Sequence, residues 1–204
     1  MQLTLNNRLC TPSAFPRLTA LDFETTGTVR GFSSLPWQVG AVTMDARRLN
    51  MDGPQMDTLL CVPEDHPFSP HAPGTYRTRR PDIAAAPAAM EVWPDLHALL
   101  SDSIPVAHNI STERTLLRRL APMTEYPAWI DTLPLARHTW PGLPSYALDR
   151  LIPTLGLQSR LEALVPGREA HDAYYDAVAC ALLLETMLAL PGWEHVTPED
   201  ILRR

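Results

Sequence analysis

The sequence predicts an α/β domain, a mixed sheet with helices packed on it. Two observations carry that prediction. Three apolar, strand-like segments joined by short connections open the chain, which reads most simply as an antiparallel meander. After Pro87 the pattern changes to alternating helices and short strands. A chain of 204 residues suits one domain, large enough to bury about 70% of the surface its unfolded form exposes. Residues 1–16 read as a loosely organised leader, 17–190 as the domain and 191–204 as a short tail.

The first strand is Leu18 to Glu24, apolar and closing on Thr25-Thr26-Gly27. Side chains alternate along a strand, so Leu21 and Phe23 share one face while Ala20, Asp22 and Glu24 share the other. Trp37 to Met44 and Met56 to Val62 follow as strands two and three. Pro63 to Pro87, with six prolines and two histidines, is a long irregular excursion of the kind that is functional or mobile. Ala88 to Leu100 is helical, with Pro94 expected to end a first piece or kink it. Ile104 to Ala107 is a short buried strand, and Ser111 to Leu120 a helix. Trp129 to Asp131 is another strand, leading into a helix from Leu133 to His138. Pro144-Ser145 caps a helix from Tyr146 to about Leu155, which Gly156 stops. The last long helix runs from near Asp172 to Leu190.

Composition narrows the function classes. No stretch approaches 18 consecutive apolar residues, and residues 1–6 lack a basic, then apolar, signal pattern, so no membrane partner is expected and the predicted location is cytoplasmic. Cys10, Cys61 and Cys180 are far apart, which indicates neither a disulfide framework nor a zinc site. A net charge of −6 argues against coating nucleic acid by bulk electrostatics, though not against an enzyme that handles a strand end. All 17 basic residues are Arg, each able to fork onto a phosphate or stack on a base.

Polar residues with no reason to be in a core accumulate in four places. Asp22 and Glu24 sit side by side on an interior strand, where like charges repel unless one keeps its proton or a cation joins them. His108-Asn109 follows a buried strand and opens a helix, a place where α/β sheets put ligands, and equally a place for turn and capping chemistry. Asp131 reads as a cap for the helix behind it. Asp176 sits on a helix of small and apolar residues, where a carboxylate is costly unless paired or metal-bound. His171 lies five residues earlier, about 140° around a regular helix. It reaches the same site only from the approach to that helix, projecting over its end.

The order of these motifs is more specific than any one of them. Asp22-Phe23-Glu24-Thr25-Thr26-Gly27, then Trp37 through Val42, Val106-Ala107-His108-Asn109, Trp129 through Thr132, Leu143 through Leu148 and His171 through Leu183 together resemble the DEDDh 3′–5′ exonucleases, the DnaQ-like family of the proofreading epsilon subunit of bacterial replicative DNA polymerases. The likeness spans Leu18 to about Leu190 and implies a ribonuclease-H-like fold. It departs in two places. The family's His-Asn-x-x-Phe-Asp motif is here His108-Asn109-Ile110-Ser111-Thr112-Glu113, with Glu for Asp and Thr for the aromatic residue. Where many relatives carry a His-Gly-Ile-Thr-like turn, this chain has Gly74-Thr75-Tyr76-Arg77.

The resemblance implies hydrolysis of phosphodiester bonds from a 3′ end of single-stranded DNA or RNA, or of a 3′ overhang, DNA being favoured. It implies two Mg²⁺ or Mn²⁺ ions held by Asp22, Glu24, Asp176 and Glu113, with His171 as general base. Thr25, Thr26 and Gly27 are expected against the terminal nucleotide, His108 and Asn109 at its sugar or base, and Tyr76 with Arg77 on the strand. A DNA polymerase subunit is a partner the resemblance raises. The competing reading is a catalytically weakened nucleic-acid-binding or interaction module on the same fold, with Glu113 as its mark.

Overall fold

A computed structural model of the chain describes residues 17–45 and 47–202, so the expected leader at 1–16 lies outside the described residues. A mixed sheet is built from β1 (Leu18–Thr25), β2 (Pro36–Asp45), β3 (Arg48–Leu49), β4 (Gln55–Leu59), β5 (Ile104–Ala107) and β6 (Ile130–Asp131). The strand order is β3-β2-β1-β5-β6, with β4 also pairing with β2. Pairings β1–β2, β2–β3 and β2–β4 are antiparallel, whereas β1–β5 and β5–β6 are parallel. The opening meander is therefore present, and the fold is the α/β class the residue pattern predicts.

The helices are α1 (Arg80–Ala84), α2 (Ala89–Leu100), α3 (Ser111–Leu120), α4 (Thr132–Thr139), α5 (Leu148–Thr154), α6 (Gln158–Leu164), α7 (Ala173–Leu188) and α8 (Pro198–Leu202). Alternation along β1 splits the core in two. Leu21 and Phe23 join Val39 and Ala41 of β2 under α2 and α3. Leu18 and Ala20 join Val42 and Met44 under α7. Asp22 and Glu24 share the parity of Ala20, which turns both carboxylates to the α7 side. Helix α7 is apolar nearly all round and buried, as a central helix must be.

Contact between α7 and β2 depends on one residue. A Cβ built at Gly40 would lie 2.3 Å from the backbone carbonyl of Ala173 and from Tyr174 Cα. Only a residue without a side chain lets the first turn of α7 lie this low on the sheet.

Several expectations are corrected. Helix α2 continues through Pro94, because Pro94 is on the solvent face and the Met90 carbonyl it leaves unpaired lies in an exposed turn. The third strand stops at Leu59, and Tyr146 precedes α5 without belonging to it. Within the tail, Trp193 and Ile201 are buried in the α7 core, and Arg47 donates to the carbonyls of Trp193 and Glu194. Among the described residues, no helix is long and apolar enough to cross a membrane.

Candidate active site

Asp22, Glu24, Glu113 and Asp176 line one cavity of about 780 Å³ with His171, at the carboxyl ends of β1 and β5. Strand β1 supplies Asp22 and Glu24, the first turn of α3 supplies Glu113, and the first turn of α7 supplies Asp176. Asp172 is the N-cap of α7, its Oδ1 accepting from the backbone N–H groups of Tyr174 and Tyr175, both at 3.1 Å. His171 thus stands just before the helix with φ of 69°, and its backbone N–H donates to Asp176 Oδ2 at 2.8 Å. A positive φ at a residue other than Gly or Asn is uncommon and costs about 1–3 kcal/mol. The bond to Asp176 is one contact that holds it.

A second network fixes this turn from below. Buried Gln38 donates to Asp172 Oδ2 at 3.1 Å and to Asp57 Oδ1 at 3.4 Å, and its Oε1 accepts from Ala173 N–H at 3.2 Å. Arg168 closes the square by pairing with both Asp57 and Asp172. Burial alone would raise the Asp172 carboxyl, but bonds from Gln38, Tyr175 and Arg168 outweigh it and hold the group below its ordinary value.

Four of the cavity carboxyls go the other way. Burial, then repulsion from Asp176, Glu113, Glu24 and Asp172, raises Asp22 well above the carboxylate range. Burial and neighbouring acids push Glu24 up to about 9. Burial pushes Asp176 up to about 7 against the His171 N–H bond, and Glu113 up to about 7. Glu113 Oε2 is buried and has no hydrogen-bond partner among the described residues. A ligand atom from each of Glu24, His171 and Asp176 lies within 4.8 Å of the others. Carboxyls whose proton affinity is raised chiefly by burial and further by neighbouring acids, with an oxygen left over, fit a site for hard divalent cations. The extra methylene of Glu113 does not take its carboxyl out of the cavity.

A pH dependence follows. Unfolded carboxylates ionise near their ordinary values of 3.8 and 4.5, while the folded ones hold protons to about 7 (Asp176, Glu113) and about 9 (Glu24). Between those limits the folded state binds more protons, so the stability of metal-free protein falls as pH rises from about 5 to 9. Thermal unfolding in chelator is expected to show Tm dropping by several degrees over that range, at about 2–4 °C per kcal/mol for this size. Added Mn²⁺ should raise Tm most at the alkaline end. A flat Tm profile in chelator would count against the protonated cluster.

The two site histidines differ. His108 Nε2 donates to the Tyr146 carbonyl at 2.8 Å, and Nδ1 meets Thr132 Oγ1 at 2.9 Å. Burial lowers its proton affinity, and the Tyr146 carbonyl, which can only accept, puts a proton on Nε2. Both nitrogens are used in tying β5 to the segment before α5, and the residue also lines the cavity. His171 Nδ1 lies 3.9 Å from Glu24 Oε1, too far for a hydrogen bond, and its side chain is 48% exposed. Asn109, at φ of 70°, lines the cavity, its N–H donating to Asp131 Oδ1. Asp131 also caps α4, as expected.

Three residues expected against the substrate, Tyr76, Thr26 and Arg77, do not line the cavity. Tyr76 is 5% exposed, stacked on Phe68 with its hydroxyl donating to the Ser69 carbonyl, and it does not line the cavity. Thr26 is fully buried, and its N–H and C=O pair with Leu35 and Ser69. Arg77, outside the cavity, donates to the Pro70 carbonyl and lies over the Tyr76 ring. Thr25 and Gly27 do line it. The proline-rich excursion is a packed wall: Ala72 and Pro73 face the cavity, and Gly74 sits so close to the His171 carbonyl that a Cβ would be 2.7 Å from it.

Arg137, which the sequence did not mark as a site residue, also lines the cavity, as do Ser145 and Tyr146 of the Leu143-to-Leu148 motif. Leu133 and Arg137 are four apart on α4 and both face the cavity, a helical spacing that is itself a signal.

Carboxylates on β1, α3 and α7 thus meet a histidine at the carboxyl edge of the sheet. A sequence profile of the RNase_T exonuclease family matches residues 19–184, and the chain belongs to that family. It is 33% identical over 144 residues to exodeoxyribonuclease 10 of Escherichia coli (strain K12), a match covering 70% of this chain and 60% of the relative. The chain thus spans less than two thirds of that curated relative's length. Exonuclease X, solved in complex with 5′ overhanging duplex DNA, superposes with a TM-score of 0.63 at 28% identity, covering 91% of this chain and 98% of that one. The nuclease domain of 3′hExo, a DEDDh family member bound to rAMP, shares the fold with a TM-score of 0.63 at 15% identity, covering 87% and 94%.

Proposed function

We propose that this chain is a metal-dependent 3′–5′ exonuclease that removes mononucleotides from a 3′ end, with His171 as general base. The observation that carries the reading is the division between the histidines: His108 has both nitrogens bound, whereas His171 is half exposed and its ring makes no hydrogen bond among the described residues. Asp22, Glu24, Asp176 and Glu113 would hold two Mg²⁺ or Mn²⁺ ions, which lower the pKa of water and offset charge at the leaving oxygen.

The chain's own groups do the rest. His171 takes a proton from the water whose oxygen attacks phosphorus. The bond from phosphorus to the 3′ oxygen breaks, that oxygen is protonated, and a 5′-mononucleotide leaves. The Asp176 bond to the His171 N–H fixes where the imidazole projects. Thr25 and Gly27 shape the floor for the last nucleotide. Substrate class follows the relatives, one solved with DNA and one with a ribonucleotide, with DNA favoured by the more similar of the two.

His171→Ala is expected to lower kcat by about 10²–10⁴-fold and to remove the acidic limb of the pH–rate profile. Retention of that limb in His171→Ala would assign the base elsewhere.

A further inference from the structure

Five carboxyls line the cavity, and among its lining residues there is one arginine, Arg137. Four other arginines around the site are already engaged. Arg77 and Arg80 donate to carbonyls of Pro70 and Glu64 within their own loop and lie over aromatic rings. Arg168 is taken up by Asp57 and Asp172, and Arg119 donates to the Ser34 carbonyl. Arg137 is exposed, and among the described residues it has no carboxylate or carbonyl partner.

Its setting is prepared. The guanidinium carbon lies 5.8 Å from the centre of the Tyr146 ring, a cation–π contact that steadies the plane and leaves its edge free to donate. Tyr146 is itself fixed: its hydroxyl donates to the Trp140 carbonyl at 2.7 Å and accepts from Leu143 N–H at 3.2 Å, and its carbonyl accepts from His108. Arg137 lies close enough to His108 to act on it electrostatically. It lines the cavity one helical turn beyond Leu133.

A polyanion entering an acidic cavity meets cations at the bond being cut but needs another one upstream. We propose that Arg137 grips the strand's phosphodiester one nucleotide upstream of the bond that is cut, and so sets the register in which the 3′ end enters. This rests on the exonuclease reading.

Two substrates separate the proposals. The p-nitrophenyl ester of thymidine 5′-monophosphate has one phosphodiester and no upstream phosphate, whereas a single-stranded oligonucleotide has both. With Mn²⁺, Arg137→Ala is expected to lower kcat/KM for the oligonucleotide roughly tenfold more than for the ester, as loss of one charged hydrogen bond predicts. Oligonucleotide binding in chelator should show a salt dependence shallower by about 0.7 in log–log slope. Arg137→Lys should recover the slope but only part of the affinity, because a point charge lacks the fork. Equal losses on both substrates, or an unchanged slope, overturn the assignment. If wild-type protein cleaves neither substrate, the exonuclease reading has failed, and the binding slope still decides Arg137; wild-type protein that neither cleaves nor binds the oligonucleotide overturns both.

Discussion

Asp22→Asn is expected to reduce strand shortening by about 10³-fold or more, since several kcal/mol of transition-state stabilisation go with the cations it helps to hold. The same substitution should make metal-free protein more stable at pH 8. Burial and four neighbouring acids raise the Asp22 carboxyl far above its ordinary value, so its charge is a cost to the fold. A neutral amide of the same shape removes that cost. Activity and stability therefore move in opposite directions, as at other sites that hold unfavourable charge for function. Parallel measurement of Tm in chelator and of oligonucleotide turnover checks both halves. Loss of stability together with activity would mean that Asp22 serves the fold and not a cation site.

Gly40→Ala is the second large effect, and it acts at a distance from the chemistry. The added methyl would meet backbone atoms of Ala173 and Tyr174 at 2.3 Å, and backbone cannot rotate away. Helix α7 must rise from the sheet, which costs about 3 kcal/mol by analogy with overpacked cores. Asp176 and His171 ride on that turn, and a displacement of about 1 Å at reacting groups costs roughly 10²-fold in rate. Gln38, which holds the same turn through Asp172 and Ala173, would be pulled from both. Calorimetry and single-turnover cleavage on the purified variant measure the two losses. Wild-type values for both would show that α7 tolerates a shift the packing does not allow.

Much of the fold and of the site is legible in the sequence. Period-two alternation along Leu18 to Glu24 is enough to put Asp22 and Glu24 on one face, and β1 does so. The position of His171 ahead of α7, forced by its five-residue offset from Asp176, also follows from helix geometry. What failed was the assignment of side chains in loops. Tyr76, beside three arginines, resembles a stacking platform, but its hydroxyl and ring find better partners in Ser69 and Phe68. Thr26 lies in the motif yet spends its backbone on the neighbouring loops. Such choices depend on contacts distant in sequence, which periodicity does not encode. Short helices such as α6, without a strong pattern of their own, escaped for the same reason. The Gln38–Asp172–Arg168–Asp57 square joins residues up to 134 positions apart, and no local signal marks it.

The central claim is that the four carboxylates and His171 form a working, cation-dependent 3′–5′ exonuclease despite the Glu at position 113. A 5′-labelled single-stranded oligonucleotide incubated with the protein and Mn²⁺ or Mg²⁺, resolved to single nucleotides over time, tests it most directly. The predicted result is a ladder descending one nucleotide at a time, release of 5′-mononucleotides, and no shortening in chelator. Full-length substrate under both ions, with binding retained, would contradict it and make the chain a binding module on a nuclease fold.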